Sequence, residues 1–300
     1  MFGTFDCCSP LPSDGRGGRG EGFLVQMIPF ARQRWLGIGL FLAAAAVIVY
    51  WHAQWTGQVP RLAYLTGWAL FAVILVLTVF NARKKLPFLP LFSSESWLQF
   101  HIYVGMITGV LFAVHISYRW PTGWFEGALA WLYALVMLSG FYGLFLSRTI
   151  PKRLTTRGGE VPFERIPAIR RALADRAEAL ALKSVAEAKS TTIADFYARE
   201  LKEFLSGSRN LVLHYLEVRS PLQQLMNRIE DLNRYLGTAE RATLGEIAEL
   251  VRQKDGLDYH YSLQLSLKVW LFTHIPLTYA LLLWTLAHLI LVFAFSGGAR

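Results

Sequence analysis

Five stretches of this chain carry no charged side chain: between Arg34 and Arg61, Arg61 and Arg83, Glu95 and Arg119, Glu126 and Arg148, and Lys268 and Arg300. Each can hold the roughly 20 apolar residues that a helix needs to cross a bilayer. The whole chain is 54% hydrophobic with a mean hydropathy of +0.34, too apolar for an ordinary soluble domain. The sequence therefore predicts an all-α membrane protein with five transmembrane helices. Their expected spans run from about Trp35 to Trp51, Leu62 to Phe80, Trp97 to Tyr118, Gly127 to Leu146 and Val269 to Ala294.

The formal charge of +9 would suit nucleic acid, but the basic residues obey a membrane rule instead. Arg32, Arg34, Arg83, Lys84, Lys85, Arg148, Lys152, Arg153 and Arg157 flank the runs on one side, whereas Arg61 and Arg119 stand nearly alone on the other. The positive-inside rule then puts the N-terminus in the cytoplasm and the C-terminus outside, as for a bacterial inner-membrane protein. No nucleic-acid partner is expected.

Residues 1–34 read as a disordered basic tail, 35–148 as helices 1 to 4, 149–262 as a cytoplasmic helical insert, and 263–300 as helix 5 with a short outer tail. The tail holds both cysteines, Cys7 and Cys8, which form neither a disulfide framework nor a c-type haem attachment site. Its Gly15 to Gly20 stretch, GRGGRG, matches the dinucleotide fingerprint in letters only, because no strand precedes it. In the insert, Thr192 opens an apolar stripe through Ile193, Phe196, Tyr197, Leu201 and Phe204 that stops at Gly207. Ser220 and Pro221 open a second that ends at Gly237, and a third begins near Thr243. Such stripes imply packing on one another or on the membrane surface.

The uncharged runs nevertheless contain histidines. His101 and His115 lie in helix 3, His274 and His288 in helix 5, each pair separated by fourteen residues. Fourteen steps of about 100° make four turns less about 40°, so each pair shares a face, its members about 21 Å apart along the axis. Helices 3 and 5 run in the same direction, two crossings apart. Equal spacing thus sets His101 level with His274 and His115 level with His288. Two imidazoles facing each other at two depths suit a six-coordinate haem iron, which takes one axial ligand from each side. Zinc would want about four ligands at one point, and the spans have no Cys, Asp or Glu to complete a set.

Gly105 and Gly109 in helix 3, and Gly140 and Gly143 in helix 4, would admit a macrocycle or form a small-residue packing face. Arg119 could meet propionates of the outer haem and Lys268, Lys84, Lys85 or Arg148 those of the inner one; all serve equally as interfacial anchors. His260 lies fourteen before His274, but Lys268 intervenes and helix 3 has Pro87 at the matching level, so a third haem would need His214 as its other ligand. His52 reads as an outer-interface residue.

At these residues the chain resembles the bis-haem transmembrane b-type cytochromes, among them the ferric-reductase-like domain of NADPH oxidases and the cytochrome b of quinol-oxidising complexes. The resemblance covers roughly helices 2 to 5, with the basic-aromatic approach ARKKLPFLPLFSSESWLQFH before helix 3. It implies His101, His115, His274 and His288 as axial ligands of two b-type haems. The sequence ends at FSGGAR without the flavin and NADPH region of the oxidases, and it has no Pro-Glu-Trp-Tyr quinol motif, so the resemblance speaks to cofactors more than to substrate. The expected function is electron transfer across the membrane between redox subunits on the two sides, or between one of them and quinone, as a subunit of a larger oxidoreductase. A ferric-reductase-like protein, a quinol dehydrogenase membrane subunit and a non-redox scaffold or sensor remain the alternatives.

Overall fold

A computed structural model describes residues 30–59, 62–79, 94–155, 161–188 and 190–296. All its regular structure is helical. The membrane part comprises α1 (Phe30–Trp55), α2 (Leu62–Val79), α3 (Ser94–His115), α4 (Trp124–Leu154) and the second half of α10 (Thr238–Ser296). Between α4 and α10 lie α5 (Ile166–Ala188), α6 (Thr192–Phe196), a π turn at Tyr197–Leu201, α7 (Lys202–Ser206), α8 (Leu211–Tyr215) and α9 (Ser220–Asn233).

Four helices, α1, α3, α4 and α10, are long and apolar enough to cross a membrane. Their outward side chains are apolar, among them Leu40 on α1, Leu138 on α4 and Leu283 on α10, as lipid-facing helices require. The chain is built as an integral membrane protein. The fifth expected span, α2, is apolar but short, about 27 Å over its described length. The ends of the spans also differ from expectation. Helix α1 begins at Phe30, inside the stretch expected to be tail, and residues 1–29, where disorder was expected, lie outside the described residues. Helix α3 stops at His115, because the chain turns through left-handed Ser117 and Tyr118 rather than continuing to Tyr118 as helix.

Helices α2, α3, α4 and α10 form a ring in which each packs on its two neighbours, in the order α2, α3, α4, α10 and back to α2. Helix α1 packs on α3 from outside. Across the diagonal, α3 and α10 make little close backbone contact. The centre of the ring is filled by Leu70 and Ile74 of α2, Leu111 of α3, Tyr133 of α4 and Leu281 of α10.

Helix α10 is the main departure from expectation. The third insert helix and the last membrane helix are a single element of 59 residues, about 88 Å long, so the expected division at 262/263 falls inside one helix. Its start is Thr238 rather than Thr243; the Glu240 carboxylate reaches back to accept the Gly237 amide at 3.0 Å, half of a capping box. Nothing breaks the helix between insert and membrane: Leu244, Ile247 and Val251 are buried on one face, Leu257 and Leu263 are buried further along, and the apolar span follows. The insert folds over that first half with its own core, built from Ala177, Ile193, Leu201, Leu205, Ile229, Ile247 and Val251 among others.

Candidate cofactor site

The site is built from the two diagonal helices. His101 and His115 point from α3, His274 and His288 from α10, all four half-buried. The structure brings His101 within electrostatic reach of His274, and His115 within reach of His288. Between the two levels the ring is closed by a packed layer. Thr108, midway between the α3 histidines, is buried and bonded to the Tyr133 hydroxyl at 2.9 Å; Leu281, midway between the α10 pair, is buried beside it in the same core. Phe112 stacks on Tyr133 at 4.2 Å.

Each level has a helix that orients one ring. At the His115 level that helix is α2. The His115 Nδ1 lies 3.2 Å from the Ala63 carbonyl and 3.3 Å from the Thr66 hydroxyl. A carbonyl can only accept, so Nδ1 carries the proton and donates it, which leaves the Nε2 lone pair for another partner. Gly67 gives the ring its place: a Cβ there would sit 2.9 Å from His115 Cε1. At the His274 level the helix is α4, where Nδ1 meets the Ser139 hydroxyl at 3.2 Å and Gly140 faces the ring. The Trp270 indole stacks on His274 at 5.5 Å, donates Nε1–H to the Ser139 carbonyl at 2.8 Å and is seated against Gly143. At His288 the wall is aromatic: Phe125 lies parallel to the ring at 6.4 Å and Trp284 stacks on Phe125.

A hydroxyl followed by glycine thus recurs on both flanking helices, Thr66-Gly67 on α2 and Ser139-Gly140 on α4. The hydroxyl reaches Nδ1 and the glycine lies against the ring, too close for a Cβ at Gly67 and at ordinary contact distance at Gly140. That repeat is visible in the sequence, but only the packing shows what it faces. Sequence reasoning missed Thr66, Gly67 and Ser139 and noticed Gly140 only as a spacer.

The other expected site residues are placed differently. A Cβ on Gly105 would meet nothing within 4 Å, so that position is open. Gly109 is covered by the Met137 methyl and lines an apolar cavity of about 380 Å³ with Phe41, Met106, Ala113 and Phe141, to which none of the histidines contributes. Gly109 thus sits where α3 meets α4, against Met137. Arg119 is exposed in the turn after α3, off the axis that would have placed it one turn above His115. The Lys268 ammonium is engaged by the insert, 3.0 Å from Glu164 and 3.8 Å over the Phe163 ring. His214 pairs with Asp255 at 3.6 Å, and His260 is buried in the insert half of α10. His52 meets Tyr118 edge-on at the end of α1.

Among the described residues no three His, Cys, Asp or Glu side chains converge on a point, and each level brings two imidazoles within electrostatic reach of each other. That set suits a planar metal macrocycle entered from both faces and does not suit a bare tetrahedral ion. No protein-family model, curated protein or solved structure matches this chain.

Proposed function

We propose that this chain is a di-haem b-type membrane cytochrome that carries electrons across the bilayer, as a subunit of a larger oxidoreductase, with quinone or a redox subunit as partner on either side. The observation that carries the reading is the nearness of His101 to His274 and of His115 to His288 across a diagonal of the ring whose two helices make little close backbone contact. The residues fit the group. His115 holds its proton on Nδ1 against a carbonyl, and His274 has a hydroxyl on the same atom, the arrangement that fixes an axial imidazole and frees Nε2.

A bis-histidine haem, when bound, supplies a one-electron ferric/ferrous couple. The chain's own residues do the rest. His101 and His274 would hold one macrocycle, His115 and His288 the other, about 21 Å apart. Thr66, Ala63 and Ser139 orient the imidazoles, Gly67 and Gly140 let the rings lie close to the flanking backbones, and Trp270, Phe125 and Trp284 keep water from the levels. The Thr108, Tyr133 and Leu281 layer divides the two. With α2 as a fifth crossing, the N-terminus and the insert share one side, which the basic residues make the cytoplasm.

The test is a reduced-minus-oxidised spectrum and haem count on the purified full chain after haem-replete expression. Two b-type haems per chain are expected. His101→Leu and His274→Leu should each remove the same haem, and their double mutant should lose little more. His101→Leu with His288→Leu should strip both. A chain without haem overturns the cytochrome, and coupling of His101 to His288 overturns the level assignment.

A further inference from the structure

The eight residues from Leu211 to Val218 fold as the short helix α8 and a turn, with left-handed Asn210 just before the helix and left-handed Glu217 within the turn. One side of this segment is fixed inward. His214 is buried, and the Leu211 carbonyl accepts the Ser262 hydroxyl at 2.6 Å. The other side is bare: Val212 is 70% exposed, Leu216 62% and Val218 40%. Burying one such side chain is worth about 1.5–3 kcal/mol, so water is a poor medium for three of them together. A cluster of this kind in a protein that already meets lipid marks a contact surface.

Its position on the molecule says which contact. The Tyr215 hydroxyl bonds that of Tyr142, 3.1 Å away, and Tyr142 is on the exposed apolar side of α4 with Phe141 and Phe145. The bare face of α8 therefore continues the lipid-facing surface of a membrane helix. Near the end of that helix, Arg153 fixes the segment at this depth. Its guanidinium donates to the Tyr215 carbonyl at 2.7 Å and pairs with Glu217 at 2.8 Å, and Tyr259 donates its hydroxyl to the same carboxylate at 3.1 Å. The one acid in the segment is thus neutralised, as a boundary with hydrocarbon demands. Exposed Lys152 and Arg219 flank it with positive charge, which matches anionic headgroups.

We propose that α8 and its turn anchor the insert to the bilayer, with Val212, Leu216 and Val218 set into the boundary between headgroups and acyl chains on the insert's side. The anchor is independent of the haem reading.

The experiment uses the full chain in nanodiscs of phosphatidylcholine and phosphatidylglycerol, with Cys7 and Cys8 replaced by Ser. Single spin labels go on Val212→Cys, Leu216→Cys and Val218→Cys, and on Leu182→Cys and Tyr235→Cys, two exposed insert positions elsewhere. Power saturation compares oxygen, which concentrates in acyl chains, with a water-soluble nickel chelate. At the three α8 positions oxygen should dominate, and at the two controls nickel should. Nickel dominance at α8 would place the segment in water and overturn the anchor. Low access to both reagents there would show a protein cover, whether another part of this chain, a second copy or a partner, and would overturn it equally.

Discussion

Gly67 and Gly140 occupy corresponding places at the two histidine levels, yet the structure gives them different tolerances. A Cβ at Gly67 would lie 2.9 Å from His115 Cε1 and 3.4 Å from Nδ1, while one at Gly140 would lie 3.9 Å from His274 Cε1. Carbon atoms rest at about 3.5–4.0 Å, so Gly67→Ala forces the His115 ring back by about 0.6–1.1 Å and Gly140→Ala forces nothing. The retreat reaches a hydrogen bond already long, from Nδ1 to the Ala63 carbonyl at 3.2 Å. Overpacking costs about 1–3 kcal/mol and the lost bond about 0.5–1.5 kcal/mol. Together these amount to roughly 10- to 2000-fold in the affinity of the His115 level for the haem proposed there. Gly140→Ala should stay within about 0.5 kcal/mol.

The assay is a potentiometric titration followed in the haem spectrum, with a haem count, on both variants and the parent. Gly67→Ala should lose or shift one component, the same one that His115→Leu removes, and leave the other at its parent potential. Gly140→Ala should retain both. If Gly67→Ala keeps both components unshifted, the ring is not pinned between α2 and α3 as argued. Equal losses from the two variants would show that a distance read at each glycine does not govern the site.

Three further outcomes follow from named contacts. Ser139→Ala removes the hydroxyl beside His274 Nδ1, so on the proposed reading the His274 component should move to higher potential, because a less basic imidazole stabilises ferric iron less, while the His115 component stays put in the same titration. In the insert, Asp258 is fully buried with Lys254 at 2.6 Å and Arg170 at 3.4 Å, so Asp258→Ala strands two cations and should cost about 3–5 kcal/mol in denaturant unfolding of the insert, more than Lys254→Met, which leaves Asp258 its Arg170 and Arg209 amide partners. Burial holds the Lys254 ammonium below its ordinary 10.5, so the folded chain sheds that proton first and the parent should gain stability relative to Lys254→Met as pH rises through the interval below 10.5; a flat difference would show that the site binds the proton as water does.

Much of this was legible because lipid leaves few choices. The uncharged runs located α2 and α3 to within about three residues and α1 to within about five, whereas α4 runs on to Leu154 and α10 begins far upstream of the expected Val269. In the insert, Ser220-Pro221 is where α9 starts and Gly207 directly follows α7, since capping chemistry is local. What depends on tertiary contact was not legible. The stripe Ile193, Tyr197, Leu201, Leu205 repeats every four residues, which on an α-helix drifts about 40° per step; the π turn at Tyr197–Leu201 cancels part of that drift and keeps all four buried. Gly109 looked equivalent to Gly105 by sequence, but only the position of Met137 decides what it faces. The division expected at 262/263 falls inside α10, where Lys254 and Asp258 are buried and paired with each other, so the charged stretch runs into the apolar span as one helix.

That unbroken helix has a mechanical consequence for the histidine levels. Helix α10 is held in the insert by the Lys254, Asp258 and Arg170 cluster, with Lys254 also set over the Phe204 ring at 3.9 Å. His274 lies about 24 Å and His288 about 45 Å beyond Asp258 along the same axis. A tilt of about 2° at that cluster would carry His274 by about 0.8 Å and His288 by about 1.6 Å, against partners on α3 that do not belong to the insert. Helix α4 holds α10 at both levels, with Ser139 and Gly140 meeting Trp270 and His274 at the first and Phe125 meeting Trp284 and His288 at the second, so the longer lever arm decides which level moves further. A change in how the insert is held therefore acts unequally on the two pairs, with the His115 and His288 level the more exposed to it.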